Sequence, residues 1–130
     1  MVRLKDNGHE VLLVSSGAVA AGYRKLGFLQ RPTALIEKKQ AAASIGQGLL
    51  MEAYSELFLS HGYVASQILI TRDDFFLPKI VTTMSEIQLI FLLERGIVPI
   101  INENDTVAIN QLKFGDNDTL SAKSRWACGC

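Results

Sequence analysis

An α/β fold with an open, mainly parallel sheet is what this sequence predicts, and three observations carry the expectation. Short apolar runs of strand length occupy residues 11–14, 64–70 and 97–101. Between them lie stretches whose apolar residues recur at helical spacing, and strands alternating with helices imply a layered arrangement around a parallel sheet. Glycine, proline and serine punctuate the changes from one pattern to the other.

Residues 1–7 read as the last turns of a helix closed by Gly8, a residue favoured just past a helix C-terminus. The run Val11-Leu12-Leu13-Val14, bounded by Gly8 and by Ser15-Ser16-Gly17, reads as a strand buried on both faces. Residues 18–26 begin a helix rich in small side chains, and Pro32-Thr33 marks a turn. Beyond it Ile45, Leu49, Ala53 and Leu57, with neighbouring Leu50, Tyr54 and Phe58, give one broad apolar helical face whose aromatics are core. Residues 64–70 form the second strand, residues 85–95 a helix ending at Gly96, and residues 97–101 the third strand. Parallel sheets place their binding sites at the carboxyl ends of the strands. Polar clusters begin where the first and third strands end.

Composition narrows the partners. At 130 residues there is room for one domain with a modest core, and 48% hydrophobic with 20% charged residues is globular rather than disordered. Thirteen Lys and Arg balance thirteen Asp and Glu, so nothing draws the chain to nucleic acid or an anionic membrane. No apolar stretch approaches the roughly 18 residues of a membrane span. The first residues carry Arg3, Lys5 and Asp6 and no secretory apolar run. Cys128 and Cys130 sit in the last three positions, which excludes a disulfide framework and suits a reducing cytoplasm. Without a second ligand pair, this Cys-x-Cys reads as a loose tail rather than a metal site.

The first polar cluster, Ser15-Ser16-Gly17-Ala18, stands between a strand and a helix. First-turn backbone N–H groups there can hold a carboxylate or phosphate oxygen, and Gly17 admits an anion close to the backbone. On this tetrapeptide alone, a plain serine N-cap is the favoured account. The second cluster is Asn102-Glu103-Asn104-Asp105 and the third Gly115-Asp116-Asn117-Asp118. Their side chains supply acceptors for an ammonium and donors for a carboxylate, the mixture a zwitterionic amino acid needs. They also suit turns, while the ligand pattern of an EF-hand is missing.

Five segments in order resemble the glutamate 5-kinases, the γ-glutamyl kinases of the amino acid kinase superfamily. They are the glutamate-loop-like Val14-Ser15-Ser16-Gly17-Ala18 run through Gly22, residues 39–48 (Lys39 to Gly48), residues 67–75 (Gln67 to Phe75), residues 98–107 around Asn102-Glu103-Asn104-Asp105, and residues 113–122 around Gly115-Asp116-Asn117-Asp118. The resemblance implies a three-layer α/β/α sandwich, the amino acid kinase fold. It also implies transfer of the γ-phosphoryl group of ATP, with Mg²⁺, to the side-chain carboxylate of L-glutamate, which opens proline biosynthesis. Proline as a feedback inhibitor and a homo-oligomer are implied in the same way. By position, the substrate-binding residues are Ser16, Asp105 and Asn117, with Gly17, Ala18, Asp116 and Asp118 as further contacts. Other amino acid kinases, and a non-catalytic glutamate- or proline-binding remnant, are the alternatives.

The chain also departs from that pattern. The family's phosphate-loop lysine has no counterpart, since neither Arg3 nor Lys5 lies in a Gly/Ser context, so no catalytic residue is identified. The ATP-binding half has no counterpart either. The expectation is a partial kinase domain over residues 1–122, truncated at both ends, with an off-pattern tail at 123–130 and no turnover by itself. Residues 77–88 differ from the family's Arg/Tyr/Asn-rich segment, and a local reading-frame disturbance there and in the tail is the hypothesis that resequencing the locus tests.

Overall fold

The computed structural model describes residues 1–71 and 79–107, with 79–85 described by backbone alone. Helix α1 spans Val2–Asp6, strand β1 Leu13–Val14, and helix α2 Ala18–Gly22, which tightens into a 3₁₀ turn over Tyr23–Leu26. Helix α3 spans Ile36–Leu59, strand β2 Ala65–Ile70, helix α4 Lys79–Glu94 and strand β3 Val98–Glu103. The strands lie in the order β1-β3-β2 and all pair in parallel. Val14 stands opposite Ile101, and Ile70 opposite Glu103, so the carboxyl ends of all three strands share one edge.

Side chains on successive residues of β3 point to opposite faces, and each face meets its own helix. Val98 and Ile100 pack with Phe58 of α3, and Leu13, Tyr54 and Tyr63 close around them. Ile101 packs with Ile68 of β2 and Leu89 of α4, with Leu12, Val14 and Leu92 alongside. The described elements therefore form helix, sheet and helix layers, as the sequence predicts. Val98, Ile100 and Ile101 are all but fully buried. At about 1.5–3 kcal/mol for each such side chain, β3 is the centre of the core.

β1 is shorter and more exposed than the apolar run at 11–14 implies, since Leu13 and Val14 are only half-buried. The cause lies in its neighbour. Along a parallel strand, residues alternate in the side to which they hydrogen-bond. Val98 N–H donates to Val64 C=O and Asn104 N–H to Ile70 C=O, so even-numbered residues of β3 serve β2. Odd-numbered ones serve β1, as Ser15 N–H donating to Ile101 C=O illustrates. Pro99 has no N–H to offer, so the β1 ladder opens only at Leu13, opposite Ile100.

Helix α4 begins six residues earlier than the pattern at 85–95 suggests, and β3 runs two residues past Ile101. Gly8, Gly62 and Gly96 close α1, α3 and α4 with positive φ, as glycines past helix ends do.

Candidate substrate-binding edge

The loop after β1 is fixed from beneath. Ser15 is buried, its N–H closes the ladder on Ile101 C=O, and its Oγ lies 3.0 Å from the Tyr54 hydroxyl of α3. Ser16, one residue on, is exposed. Gly17 is the N-cap of α2 with φ of 98°, and no side chain caps that helix. The serine-cap reading is therefore corrected: neither hydroxyl serves as the cap, because the chain enters α2 through a left-handed residue. The open ground in front of Gly17 is real, since a Cβ there would meet nothing within 4 Å.

α2 itself is held by backbone-to-backbone contact with α3. A Cβ on Gly46 would fall 1.6 Å from Ala18 C=O, and one on Gly22 would fall 1.9 Å from Ala42 C=O. Ala18, Val19, Ala42 and Ala43 fill the seam between the helices. Ala18 is thus buried in this seam, so its side chain belongs to the packing, and what it can offer a ligand is its backbone.

At the end of β3, Asn102 is buried and wholly engaged within the protein. Its Oδ1 accepts from Glu103 N–H at 2.8 Å, and its Nδ2 donates to Gln47 Oε1 at 2.8 Å. Glu103 N–H points toward β1, which has already turned away into the Ser16-Gly17 loop, and the Asn102 side chain takes the place of the lost strand partner. Gln47 extends the chain of amides to Gln67 Oε1 at 3.3 Å. Asn104 Oδ1 accepts from both the N–H and the hydroxyl of Thr106, an Asx turn that carries the loop over the sheet edge. Asp105 is half-exposed within this turn, its N–H donating to Glu103 C=O.

The structure therefore brings Ser16 and Asp105 to the same edge, at the ends of two directly paired strands. Asp116, Asn117 and Asp118, the tail at 123–130 with Cys128 and Cys130, and Arg72 to Phe75 lie outside the described residues. The side-chain oxygens of Asn102 and Asn104 of the second cluster are engaged within the loop itself. Sequence reasoning missed Tyr54 and Gln47 as supports of the edge. The available signals were a tyrosine with a polar tip in an aliphatic stripe, and a glutamine set between Gly46 and Gly48 in a close-packed helix.

Lys5 Nζ lies 5.5 Å over the Tyr63 ring, just ahead of β2 and so at the opposite end of the sheet. Among the described residues no three His, Cys, Asp or Glu side chains converge to hold a metal ion, and no helix is long and apolar enough to cross a membrane.

A three-layer sheet with polar loops gathered at the strand ends matches what the sequence comparison finds: residues 1–124 match the amino acid kinase family, and the chain belongs to it. It is 72% identical over 123 residues to glutamate 5-kinase 2 of Bacillus licheniformis, covering 95% of this chain and 32% of that protein. It is likewise 72% identical over 127 residues to glutamate 5-kinase 2 of Bacillus subtilis, covering 95% of this chain and 33% of the relative. Glutamate 5-kinase of Streptococcus suis is 49% identical over 123 residues, with 95% and 34% covered. The chain spans about a third of the length of these curated relatives.

Proposed function

We propose that this chain supplies the acceptor-binding edge of a glutamate 5-kinase, which transfers the γ-phosphoryl group of ATP to the side-chain carboxylate of L-glutamate and yields γ-glutamyl phosphate. The observation that carries this reading is 72% identity to two glutamate 5-kinases across 95% of the chain. The shared strand-end edge of Ser16 and Asp105 supports it. Asp105 pairs with the substrate ammonium. Ser16 and the backbone at Gly17 and Ala18 receive the α-carboxylate, and Asn117, flanked by Asp116 and Asp118, completes the grip.

The chemistry asks little of a general base, because the acceptor carboxylate is already ionised. Alignment of the acceptor and neutralisation of the phosphoryl charge carry the rate. In the whole enzyme ATP supplies the phosphoryl group and Mg²⁺ its counter-charge. A cytoplasmic homo-oligomer under proline feedback fits the same reading.

Calorimetric titration of the chain with L-glutamate tests it. Saturable binding is expected for the wild type, with a loss of about tenfold or more for Asp105→Asn, which removes a charge-assisted contact, and a smaller loss for Ser16→Ala. No heat of binding in the wild type, or equal binding by Asp105→Asn, overturns the assignment.

A further inference from the structure

We infer that Tyr54 is a positioning residue for acceptor binding, acting through its hydroxyl on Ser15 to set the Ser16-Gly17 loop. The inference rests on the glutamate reading above and adds to it a residue on a helix that does not border the edge by sequence.

Ser15, just past β1, is the last residue held by the sheet, and Gly17 is the first held by α2. Only Ser16 lies between these anchors, so the orientation of the Ser15 side chain governs where the Ser16 hydroxyl and the loop amides face. Ser15 Oγ is buried against the Tyr54 hydroxyl at 3.0 Å, a side-chain bond linking positions 39 residues apart. The aromatic body of Tyr54 is separately fixed, because it packs on the cluster of Phe58, Val98 and Ile100. A phenylalanine keeps that packing and deletes only the oxygen. The hydroxyl is therefore a dispensable part of the core and a specific part of the loop, which makes its role separable from folding.

The test compares wild-type chain with Tyr54→Phe, Ser15→Ala, the double variant, and Tyr63→Phe as a control that loses a hydroxyl at the opposite end of the sheet. Two measurements are made: exchange of the Ser15 amide by NMR, and affinity for L-glutamate by calorimetry. Expected are an approximately fivefold faster Ser15 amide and an approximately fivefold weaker affinity in Tyr54→Phe, the size of one neutral hydrogen bond. The double variant is expected to bind no worse than Ser15→Ala, since both substitutions break one bond. Tyr63→Phe is expected to match wild type in both measurements. Unchanged Ser15 exchange in Tyr54→Phe overturns the inference whatever the ligand does. So does faster exchange with unchanged affinity, or additive losses in the double variant. If wild type binds no glutamate while Ser15 exchange still rises in Tyr54→Phe, the anchoring of the loop stands and the glutamate reading falls.

Discussion

Adjacent serines at the end of β1 take opposite roles because strand geometry turns successive side chains to opposite sides. Ser15 goes inward to Tyr54 and Ser16 outward to solvent. Gly17 then reverses the chain at φ of 98°. A Cβ there meets no neighbour, so any cost of Gly17→Ala is backbone strain alone, about 1–2 kcal/mol. A urea denaturation midpoint lowered by that free energy divided by the slope is expected, with the slope itself unchanged. At the far end of the sheet the Tyr63 hydroxyl donates to Asp6 Oδ1. That bond first, then desolvation and the carboxylate charge, hold the phenol above the ordinary tyrosine value of about 10. A raised folded-state value means that the protonated phenol favours the native state. The contribution is fully present below the ordinary value and is lost as pH rises through the folded one. The stability difference between wild type and Tyr63→Phe should accordingly be flat from about pH 7 to about pH 9 and shrink above about pH 10, read by denaturation at each pH.

At the scale of elements, the seam between α2 and α3 places the loop, and two glycines make the seam. Gly46 and Gly48 lie in the same helix two residues apart, yet only Gly46 faces a backbone carbonyl, which a Cβ added to it would meet at 1.6 Å. Gly46→Ala should push α2 away and cost about 3 kcal/mol, at the upper end of ordinary overpacking. Gly48→Ala, with nothing within 4 Å, should instead stabilise by about 0.5–1 kcal/mol through helix propensity. Paired thermal melts of the two variants, moving in opposite directions, check the seam. The small residues of 18–22 and 41–48 were visible in the sequence as helical, but their partnership was not. Apolar periodicity marks faces that bury large side chains, and this contact buries backbone. The same limit explains β1: its apolar run is legible, whereas its late start depends on Pro99, more than eighty residues on, losing one ladder donor.

For the whole molecule, the layer order was legible because Ile100 and Ile101 announce a strand buried on both sides, and two helical patterns are available to cover it. The placing of Ser16 and Asp105 at one edge of the sheet followed once the strands were taken as parallel and paired. The division of labour within the second cluster did not follow, because Asn102 and Asp105 look equally polar in sequence and only burial separates them. That division makes a prediction about recognition. If Asp105 reads the ammonium while Ser16 and the loop amides read a carboxylate, both halves of a zwitterion are needed for tight binding. Ligand present at a hundred times its Kd stabilises the native state by about 2.7 kcal/mol, a shift of several degrees in the melting temperature of a domain this size. L-Glutamate should give that shift in wild type. Glutarate, which keeps both carboxylates and lacks the ammonium, should give little. Asp105→Asn should erase the difference between the two ligands by weakening L-glutamate alone, whereas Ser16→Ala should weaken both. Equal stabilisation of the wild type by glutarate and L-glutamate in thermal melts would remove Asp105 from the ammonium site.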